Sequence, residues 1–328
     1  MTYSINEFNI KADLDICCDK SINPNHFGFD ISLDRGSLKE VPSLLRKVRR
    51  QLLYDVGTGF LLEPHVGEEE GVALFIDYKG KKLILDCKDQ RIPVGAAWAI
   101  HAGLGAATLT NGGIPLHGAG IVINRRFTVI MASSTAGKST LSWFLIQAGD
   151  LFANDDLVPA YVQEDHIQVF PARSLYPKLS RQVIDRNNLS LQDLYVADYG
   201  TNEEEYYAPL SLAQRIVDPM PLSQIIVLKP ITASCGCGSG CDSCTCQDAG
   251  NDLEELEIVP RRLKTDEATT TLLSNLHASW LIPKMNAKVI FDLCHRIATT
   301  VPVIELRYKR SYAILPRIRQ TIFDFSAL

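Results

Sequence analysis

The sequence predicts an α/β protein with a smaller N-terminal α+β domain (1–92) followed by a larger domain (93–328). Three observations favour this fold class. The composition, 46% hydrophobic and 22% charged in 328 residues, is that of a globular chain with room for one large domain or two ordinary ones. After Pro93 the pattern changes to alternating strands and helices. Within that part, an apolar strand, a Ser/Gly-containing loop and an amphipathic segment follow one another over residues 127–148.

In the N-terminal domain, the apolar spacing of residues 41–54 predicts a helix whose solvated face carries the basic run 46–50. Residues 72–78 and 81–87 predict a hairpin that turns at Lys79-Gly80. This domain contains no evident catalytic constellation, so recognition and assembly are the roles open to it.

The larger domain is predicted to mix short strands with helices. The predicted strands are residues 121–124, 127–132, 158–162, 167–170, 222–228, 256–259 and 303–308. The predicted helices are residues 96–109, 141–148, 265–281, 287–299 and 314–323. The first six strands predict three successive hairpins, and a Cys/Gly-rich insertion (233–252) is expected at the tip of the third.

A nucleotide-binding loop is predicted at residues 132–139, Ala-Ser-Ser-Thr-Ala-Gly-Lys-Ser, which fit the P-loop pattern with Ala132 in place of the first Gly. In such a loop the backbone N–H groups face phosphate oxygens, Lys138 reaches the β- and γ-phosphates, and the Ser139 hydroxyl ligates Mg²⁺. The flanking strand and helix supply the frame that the motif requires, and Gly149 stands where a helix C-cap belongs. The predicted nucleotide contacts are Ser133, Ser134, Thr135, Ala136, Gly137, Lys138, Ser139 and Thr140. The sequence therefore predicts binding of ATP with Mg²⁺.

Two adjacent carboxylates, Asp155 and Asp156, follow the loop and its helix at short range. Phosphoryl transfer needs clamped phosphates, a metal ion and a carboxylate that accepts the proton of the attacking hydroxyl, and the pair could divide the last two roles. Neighbouring side chains of a strand point to opposite faces, so only one of the two faces the nucleotide unless a bulge or loop re-aims the other. The alternative is that Asn154-Asp155-Asp156 is only a turn cluster.

The order of Leu116-His117-Gly118-Ala119-Gly120, hairpin, P-loop and Asp pair resembles the HPr kinase/phosphorylase family and its phosphoenolpyruvate-carboxykinase-like relatives. The resemblance covers residues 116–159 most specifically and implies a P-loop kinase domain of the HPr kinase type. It implies an ATP-dependent serine kinase in which one Asp of the pair is the base, His117 assists it, Lys138 binds the phosphates, and the other Asp holds Mg²⁺ together with Ser139. We expect Asp155 to be the base and Asp156 the Mg²⁺ ligand, and the reverse order stays open. For His117, a structural role on a backbone carbonyl stays equally open. Members of the family assemble into rings, so the resemblance leaves open that this chain forms a homo-oligomer as well.

The sequence departs from the HPr kinases proper in two places. The Glu-Ile-Arg-Gly-type signature after the Asp pair is missing, and the loop ends in Ser139-Thr140 where the bifunctional enzymes have Ser-Glu. Both differences argue against HPr as the substrate and against the reverse phosphorolysis. The sequence is more similar to HPr-kinase-like proteins of peptide-biosynthesis clusters, including lasso-peptide precursor kinases, so the expected partner is a peptide or small protein. Arg173, Lys178 and Arg307 are candidate contacts to a phosphate or a substrate carboxylate.

Five of the nine cysteines lie close together within the Cys/Gly-rich insertion. They are Cys235, Cys237, Cys241, Cys244 and Cys246. Their number suffices for a tetrahedral Zn²⁺ site, although the spacing is not that of a standard paired knuckle. A metal-free reduced insertion and a redox role remain the alternatives.

The formal net charge of -5 gives no general attraction to nucleic acid or to anionic membranes. The sequence shows no signal-like start and no long uncharged apolar run, which predicts a cytoplasmic protein. Two other functions stay open beside the peptide kinase. One is a nucleotide-sensing binding module without transferase activity, and the other is a small-molecule kinase.

Overall fold

The structure is a computed structural model. It describes residues 2–5, 8–12, 29–35, 44–48, 51–55, 59–64, 72–79, 81–87, 103–133, 136–172, 176–198, 205–231, 258–277 and 286–326.

The described residues form two large sheets and one small sheet, with helices packed mainly on the second sheet. The strands are β1 Thr2–Ile5, β2 Phe8–Ala12, β3 Phe29–Arg35, β4 Leu44–Val48, β5 Gln51–Asp55, β6 Gly59–Pro64, β7 Val72–Asp77, β8 Lys82–Cys87, β9 Ile114–His117, β10 Ala119–Ile123, β11 Arg126–Ala132, β12 Leu151–Asn154, β13 Leu157–Val162, β14 Ile167–Val169, β15 Lys178–Ser180, β16 Tyr195–Asp198, β17 Glu205–Tyr207, β18 Met220–Ile231, β19 Ile258–Arg262 and β20 Val303–Lys309. The helices are α1 Leu104–Thr110, α2 Lys138–Gln147, α3 Arg181–Arg186, α4 Thr265–Ser274, α5 Ala287–Thr300 and α6 Leu315–Ser326. Among the described helices, none is long and apolar enough to cross a membrane.

The N-terminal sheet has eight strands in the order β1-β2-β3-β8-β7-β6-β5-β4. The predicted hairpin of β7 and β8 is confirmed, with Val72 opposite Cys87 and Ile76 opposite Leu83. The carboxylate of Asp77 stabilises the turn because it accepts hydrogen bonds from the backbone N–H groups of three lysines. These are Lys79, Lys81 and Lys82.

The predicted helix over residues 41–54 is wrong. The structure has β4 and β5 there, paired as an antiparallel hairpin. Short apolar runs fit helical and strand periods almost equally well, and tertiary pairing then decides between them. Here β5 pairs along its whole length with β6, from Gln51 opposite Pro64 to Asp55 opposite Phe60. The partner strand β6 lies outside residues 41–54, so the pattern within them does not reveal this pairing.

The second sheet has nine strands, and β11, β18 and β20 form its parallel centre. The predicted hairpin of β10 and β11 is confirmed. Its turn residues Asn124 and Arg125 both have positive φ, 49° and 64°, as a two-residue hairpin of matching twist requires. The predicted hairpin of β13 and β14 is also confirmed. The parallel strands place their carboxyl ends at one edge of the sheet, directly beyond Ala132.

The predicted hairpin between residues 222–228 and 256–259 is wrong. Strand β20 lies between β18 and β19, parallel to the former and antiparallel to the latter. The strand with the more apolar sequence takes the central position, since Val303, Ile304 and Leu306 are buried. Strand β19 contains Pro260 and is largely exposed, as suits the edge of a sheet.

The helix predictions hold in most places. Helix α2 is confirmed, and Gly149 has the left-handed φ of 94° that a residue after a helix end adopts. Helices α5 and α6 are confirmed. The prediction for 265–281 runs too far, because α4 ends at Ser274 and Leu276 forms a β-bridge with Leu116. For 96–109, α1 covers the second half, while residues 96–102 lie outside the described residues.

Two hydrophobic clusters lie on opposite faces of the parallel strands. Alternate residues of β11 divide between them, with Val129 and Met131 in one cluster and Ile130 and Ala132 in the other. The first cluster also takes in Leu83 of β8, whose methyl group would lie 2.8 Å from a Cβ added at Gly103. The proposed domain boundary at 92/93 lies in a segment outside the described residues and stays a prediction.

Candidate active site

The predicted nucleotide-binding loop leaves the carboxyl end of β11 and leads into α2. Gly137 precedes the helix with φ 89°, a left-handed conformation that glycine adopts without strain. The N–H of Ala136 donates to the carbonyl of Ser133 at 3.1 Å, which closes the base of the loop. Ser134 and Thr135 lie outside the described residues. Lys138 is the first residue of α2, so its side chain starts where the positive end of the helix dipole lies.

Tyr308 holds the loop from a neighbouring strand. Its buried hydroxyl donates a hydrogen bond to the carbonyl oxygen of Ala136, and burial raises the pKa of that hydroxyl. The sequence reasoning did not assign Tyr308 to the site. The signal that could have found it is topological, because ligands of open α/β sheets bind beyond the carboxyl ends of the strands. Tyr308 lies near the carboxyl end of β20.

A sharp bend between β12 and β13 carries the two carboxylates. Asp156 adopts φ 60°, so the alternation of a strand is broken there. The buried amide of Asn154 fixes the bend by donating to the carbonyls of Leu157 (3.2 Å) and Phe170 (2.9 Å). Gly120 makes room for it, since an added Cβ would lie 2.9 Å from the Asn154 Oδ1.

The carboxylate of Asp156 is the centre of the site. Lys138 Nζ lies 2.6 Å from its Oδ1, and Lys178 Nζ lies 2.9 Å from its Oδ2. His117 Nε2 lies 3.8 Å from the same Oδ1. The structure thus brings together four side chains from the P-loop helix, the Asp-pair bend, β9 and β15.

The strand register explains how His117 reaches this carboxylate. His117 lies opposite Leu157 in the antiparallel pair of β9 and β13, directly beside Asp156. The neighbouring Gly118 N–H also donates to the Asp156 carbonyl at 3.3 Å. The His117 ring packs edge to face against His277 at 5.8 Å, and its side chain is 40% exposed. The imidazole is therefore held in place and still open to solvent.

Asp155 occupies a different environment from its neighbour. It is buried, its Oδ2 accepts from the Lys178 backbone N–H at 2.7 Å, and its Oδ1 accepts from the Asp156 N–H at 3.0 Å. Burial and the Asp156 charge raise the pKa of Asp155 to about 6, and Lys138 partly offsets the rise. Asp155 is thus a fixed, basic carboxylate, whereas Asp156 faces the cations.

Lys178 binds two carboxylates at once. Its Nζ lies 3.0 Å from Glu205 Oε2 in addition to its contact with Asp156. Burial opposes the charged form of Lys178, but the carboxylates of Asp156 and Glu205 outweigh it and raise the lysine pKa. The sequence reasoning named Lys178 only as a candidate contact and missed Glu205.

The residues present fit Mg²⁺ bound together with a nucleotide. Within the described part of the chain, no group of three or more His, Cys, Asp or Glu side chains could hold a metal ion by itself. Magnesium is usually bound by one or two carboxylates plus substrate phosphates. Asp156 offers one carboxylate, Ser139 offers a hydroxyl in the first turn of α2, and the phosphates would come from the nucleotide. The Zn²⁺ prediction for the five clustered cysteines falls outside the described residues and stays a prediction.

Arg307, another candidate contact, does not join this group. Arg307 pairs with Glu305 at 2.9 Å and is 57% exposed. It alternates along β20 with Tyr308 and so points away from the loop. Arg173 lies outside the described residues.

Comparisons with known proteins give only distant structural likenesses. No protein-family model matches the sequence, and no curated protein matches it either. Among solved structures, the chain is similar to the HPr(Ser) kinase/phosphatase from Coxiella burnetii. The two are 13% identical with a TM-score of 0.32, and the match covers 64% of this chain and 95% of that chain.

Proposed function

We propose that this protein is an ATP- and Mg²⁺-dependent kinase that phosphorylates a Ser hydroxyl of a peptide or small protein. One observation carries the proposal. Lys138 and Lys178 both bind the Asp156 carboxylate beside the start of α2, and His117 lies next to it. Phosphoryl transfer depends mainly on positioned cations, a metal-binding carboxylate and a base. The two lysines, Asp156 and the neighbouring Asp155 are side chains of these three kinds.

The nucleotide side of the site consists of the P-loop and the first turn of α2. Lys138 would exchange its bond to Asp156 for the β- and γ-phosphates, while the helix N-terminus and the loop N–H groups bind phosphate oxygens. Ser139 and Asp156 would hold Mg²⁺, which supplies charge neutralisation on the phosphates when it is bound. Tyr308 keeps the Ala136 carbonyl turned toward β20 while these contacts form.

Asp155 is the proposed base. Each of its oxygens accepts one backbone hydrogen bond, and a carboxylate oxygen has room for a second, so the acceptor hydroxyl can still bind. In the transfer, the hydroxyl oxygen forms a bond to the γ-phosphorus as the bond to the ADP oxygen breaks, and the hydroxyl proton passes to Asp155. A pKa raised to about 6 makes Asp155 a better proton acceptor while leaving it ionised at neutral pH.

A peptide acceptor is the part of the proposal that rests on sequence similarity. The motif order resembles HPr-kinase-like proteins of peptide-biosynthesis clusters, and the missing signature argues against HPr itself. A Ser-containing precursor peptide of the lasso type is therefore the first acceptor to test.

The test is transfer of label from γ-labelled ATP to Ser-containing precursor peptides and to matched peptides with Ser replaced by Ala. We expect transfer by the wild-type chain and a loss on the order of 100-fold in Lys138→Ala, as for removal of one group that stabilises transition-state charge. Lys288→Ala is the matched control, because Lys288 lies exposed on α5. Transfer that persists in Lys138→Ala would contradict the proposed site.

Two other outcomes would replace the proposed function. Tight ATP binding without transfer to any hydroxyl would indicate a nucleotide-sensing module. Transfer to a metabolite in the absence of peptide would indicate a small-molecule kinase.

A further inference from the structure

Lys178 reaches the site from a separate structural unit. It begins β15, which belongs to a three-stranded sheet in the order β15-β17-β16 rather than to the sheet that carries the P-loop. Even so, it contacts both members of the Asp pair, Asp155 through its backbone N–H and Asp156 through its ammonium group. One residue therefore fixes the small sheet against both carboxylates.

The ammonium groups of Lys178 and Lys138 both bind the Asp156 carboxylate. The two lysines bind different oxygens of the same carboxylate, Lys138 at 2.6 Å and Lys178 at 2.9 Å. The Asp156 carboxylate therefore has one cation at each of its oxygens. Phosphate oxygens that replace the carboxylate as partner of Lys138 would lie within reach of both.

Glu205 sets the position of this second cation. It lies on β17 opposite Ser180, which is two residues after Lys178 on β15. Its Oε2 is 3.0 Å from Lys178 Nζ. An ammonium group has three donors, so Lys178 can bind Asp156 and Glu205 and still donate to a phosphate oxygen. The side chain of Lys178 is only 22% exposed, which leaves it little freedom to point elsewhere.

We propose that Lys178 is a second phosphate-contacting lysine of the site, which binds the γ-phosphoryl group, and that Glu205 is its positioning residue. This inference rests on the proposed kinase function. It distinguishes the roles of the two lysines. Lys138, at the start of α2, would bind the phosphates that ATP and ADP share as well as the γ-phosphate. Lys178 would bind only the γ-phosphoryl group that is transferred.

The proposal predicts a selective loss of affinity. Binding of ADP and of a non-hydrolysable ATP analogue would be measured by calorimetry with Mg²⁺ for the wild-type chain, Lys178→Met and Lys138→Met. A hydrogen bond to a charged group corresponds to roughly ten- to hundred-fold in affinity, so we expect Lys178→Met to lose this much for the ATP analogue and little for ADP. Lys138→Met should weaken both nucleotides. Lys288→Met, exposed on α5, should change neither.

A merely structural role for Lys178 gives a different result. If the lysine only holds the small sheet in place, Lys178→Met would weaken both nucleotides equally or neither, and each outcome overturns the proposal. Should Lys178→Met fail to fold, Glu205→Gln keeps the lysine and its contact with Asp156. We then expect a several-fold fall in the preference for the ATP analogue over ADP, and an unchanged preference counts against the assignment.

These binding measurements, together with the transfer assay described above, separate this inference from the kinase function on which it rests. A wild-type chain that binds neither nucleotide refutes the proposed function. A wild-type chain that transfers phosphate, with a Lys178→Met variant that keeps the full preference for the ATP analogue, refutes only the role of Lys178.

Discussion

Tyr308 donates its phenolic hydrogen bond to the carbonyl of Ala136, so the predicted nucleotide-binding loop is attached to a residue 172 positions further along the chain. Strand β20 does not pair with β11, the strand that leads into the loop, because β18 lies between them. The shape of the loop therefore depends on the completed parallel sheet as well as on its own sequence.

Replacement of this tyrosine by phenylalanine tests the attachment. In Tyr308→Phe the buried ring stays, but the Ala136 carbonyl loses its donor, which should cost about 1 kcal/mol of unfolding free energy. We also expect a several-fold loss of ATP affinity, because the loop loses the hydrogen bond that attaches it to β20. Chemical denaturation and calorimetric titration would measure the two effects. In the control Tyr195→Phe, where the ring is 52% exposed, neither should change. An ATP affinity equal to that of the wild type in Tyr308→Phe would mean that the contact does not shape the loop.

The sequence predicts the local parts of this site well and the distant parts poorly. The strand, loop and helix around Lys138 form one continuous pattern, and the hairpins beside it turn at residues whose conformations favour turns. By contrast, the partners Lys178 and Glu205 come from separate strands with no fixed spacing to the Asp pair. Their positions depend on pairing between β15 and β17.

The two fold errors have the same origin. For residues 41–54 and for the third hairpin, the local pattern is compatible with more than one structure. Pairing with a strand outside the pattern, β6 in the first case and β20 in the second, decides between them. The bend that re-aims Asp155 and Asp156 depends on Asn154 and on the carbonyl of Phe170, which lies 16 positions further along the chain. A pattern confined to three residues does not reveal such a contact.

The left-handed glycine at the start of α2 offers a second prediction. Gly137 has φ 89°, and a side chain in this conformation costs about 1–2 kcal/mol. An added Cβ at Gly137 would lie 3.5 Å from the Tyr308 hydroxyl, which is an ordinary contact. Backbone strain, and not a clash, would therefore be the cause of the lost stability. Gly137→Ala should therefore lower both stability and ATP affinity.

Gly149 is a matched control at the other end of the same helix. Its φ is 94°, and an added Cβ would meet nothing within 4 Å. Gly149→Ala should lower the unfolding free energy by a similar amount and leave ATP affinity unchanged. An equal loss of affinity in both variants would show that the effect arises from general destabilisation rather than from the loop.

An ion pair between the partly exposed Arg319 and the buried Asp150 joins α6 to the residues that follow α2. Arg319 donates to both oxygens of the buried Asp150, at 2.7 and 3.1 Å. In Arg319→Gln the carboxylate loses its charged partner, so we expect a loss of about 1–3 kcal/mol in a denaturant titration. The exposed pair of Arg181 and Asp185 is the control, since Arg181→Gln should change stability by less than about 0.5 kcal/mol. Equal effects in the two variants would indicate that burial of Asp150 does not matter.

Cys294 on α5 should be protected from thiol reagents in the folded chain. Burial raises its pKa from 9.0 to about 12, so the thiolate fraction at pH 8 falls roughly a thousand-fold relative to the unfolded chain, and the thiolate is the reactive form. The folded state therefore keeps its proton to higher pH, and the associated stability is present below pH 9 and lost as the pH rises toward 12. Iodoacetamide labelling at pH 8, followed by peptide mass spectrometry, should modify Cys294 in denaturant and spare it in the native chain. Rapid native labelling at this one position would show that α5 opens at Cys294 far more readily than its complete burial implies.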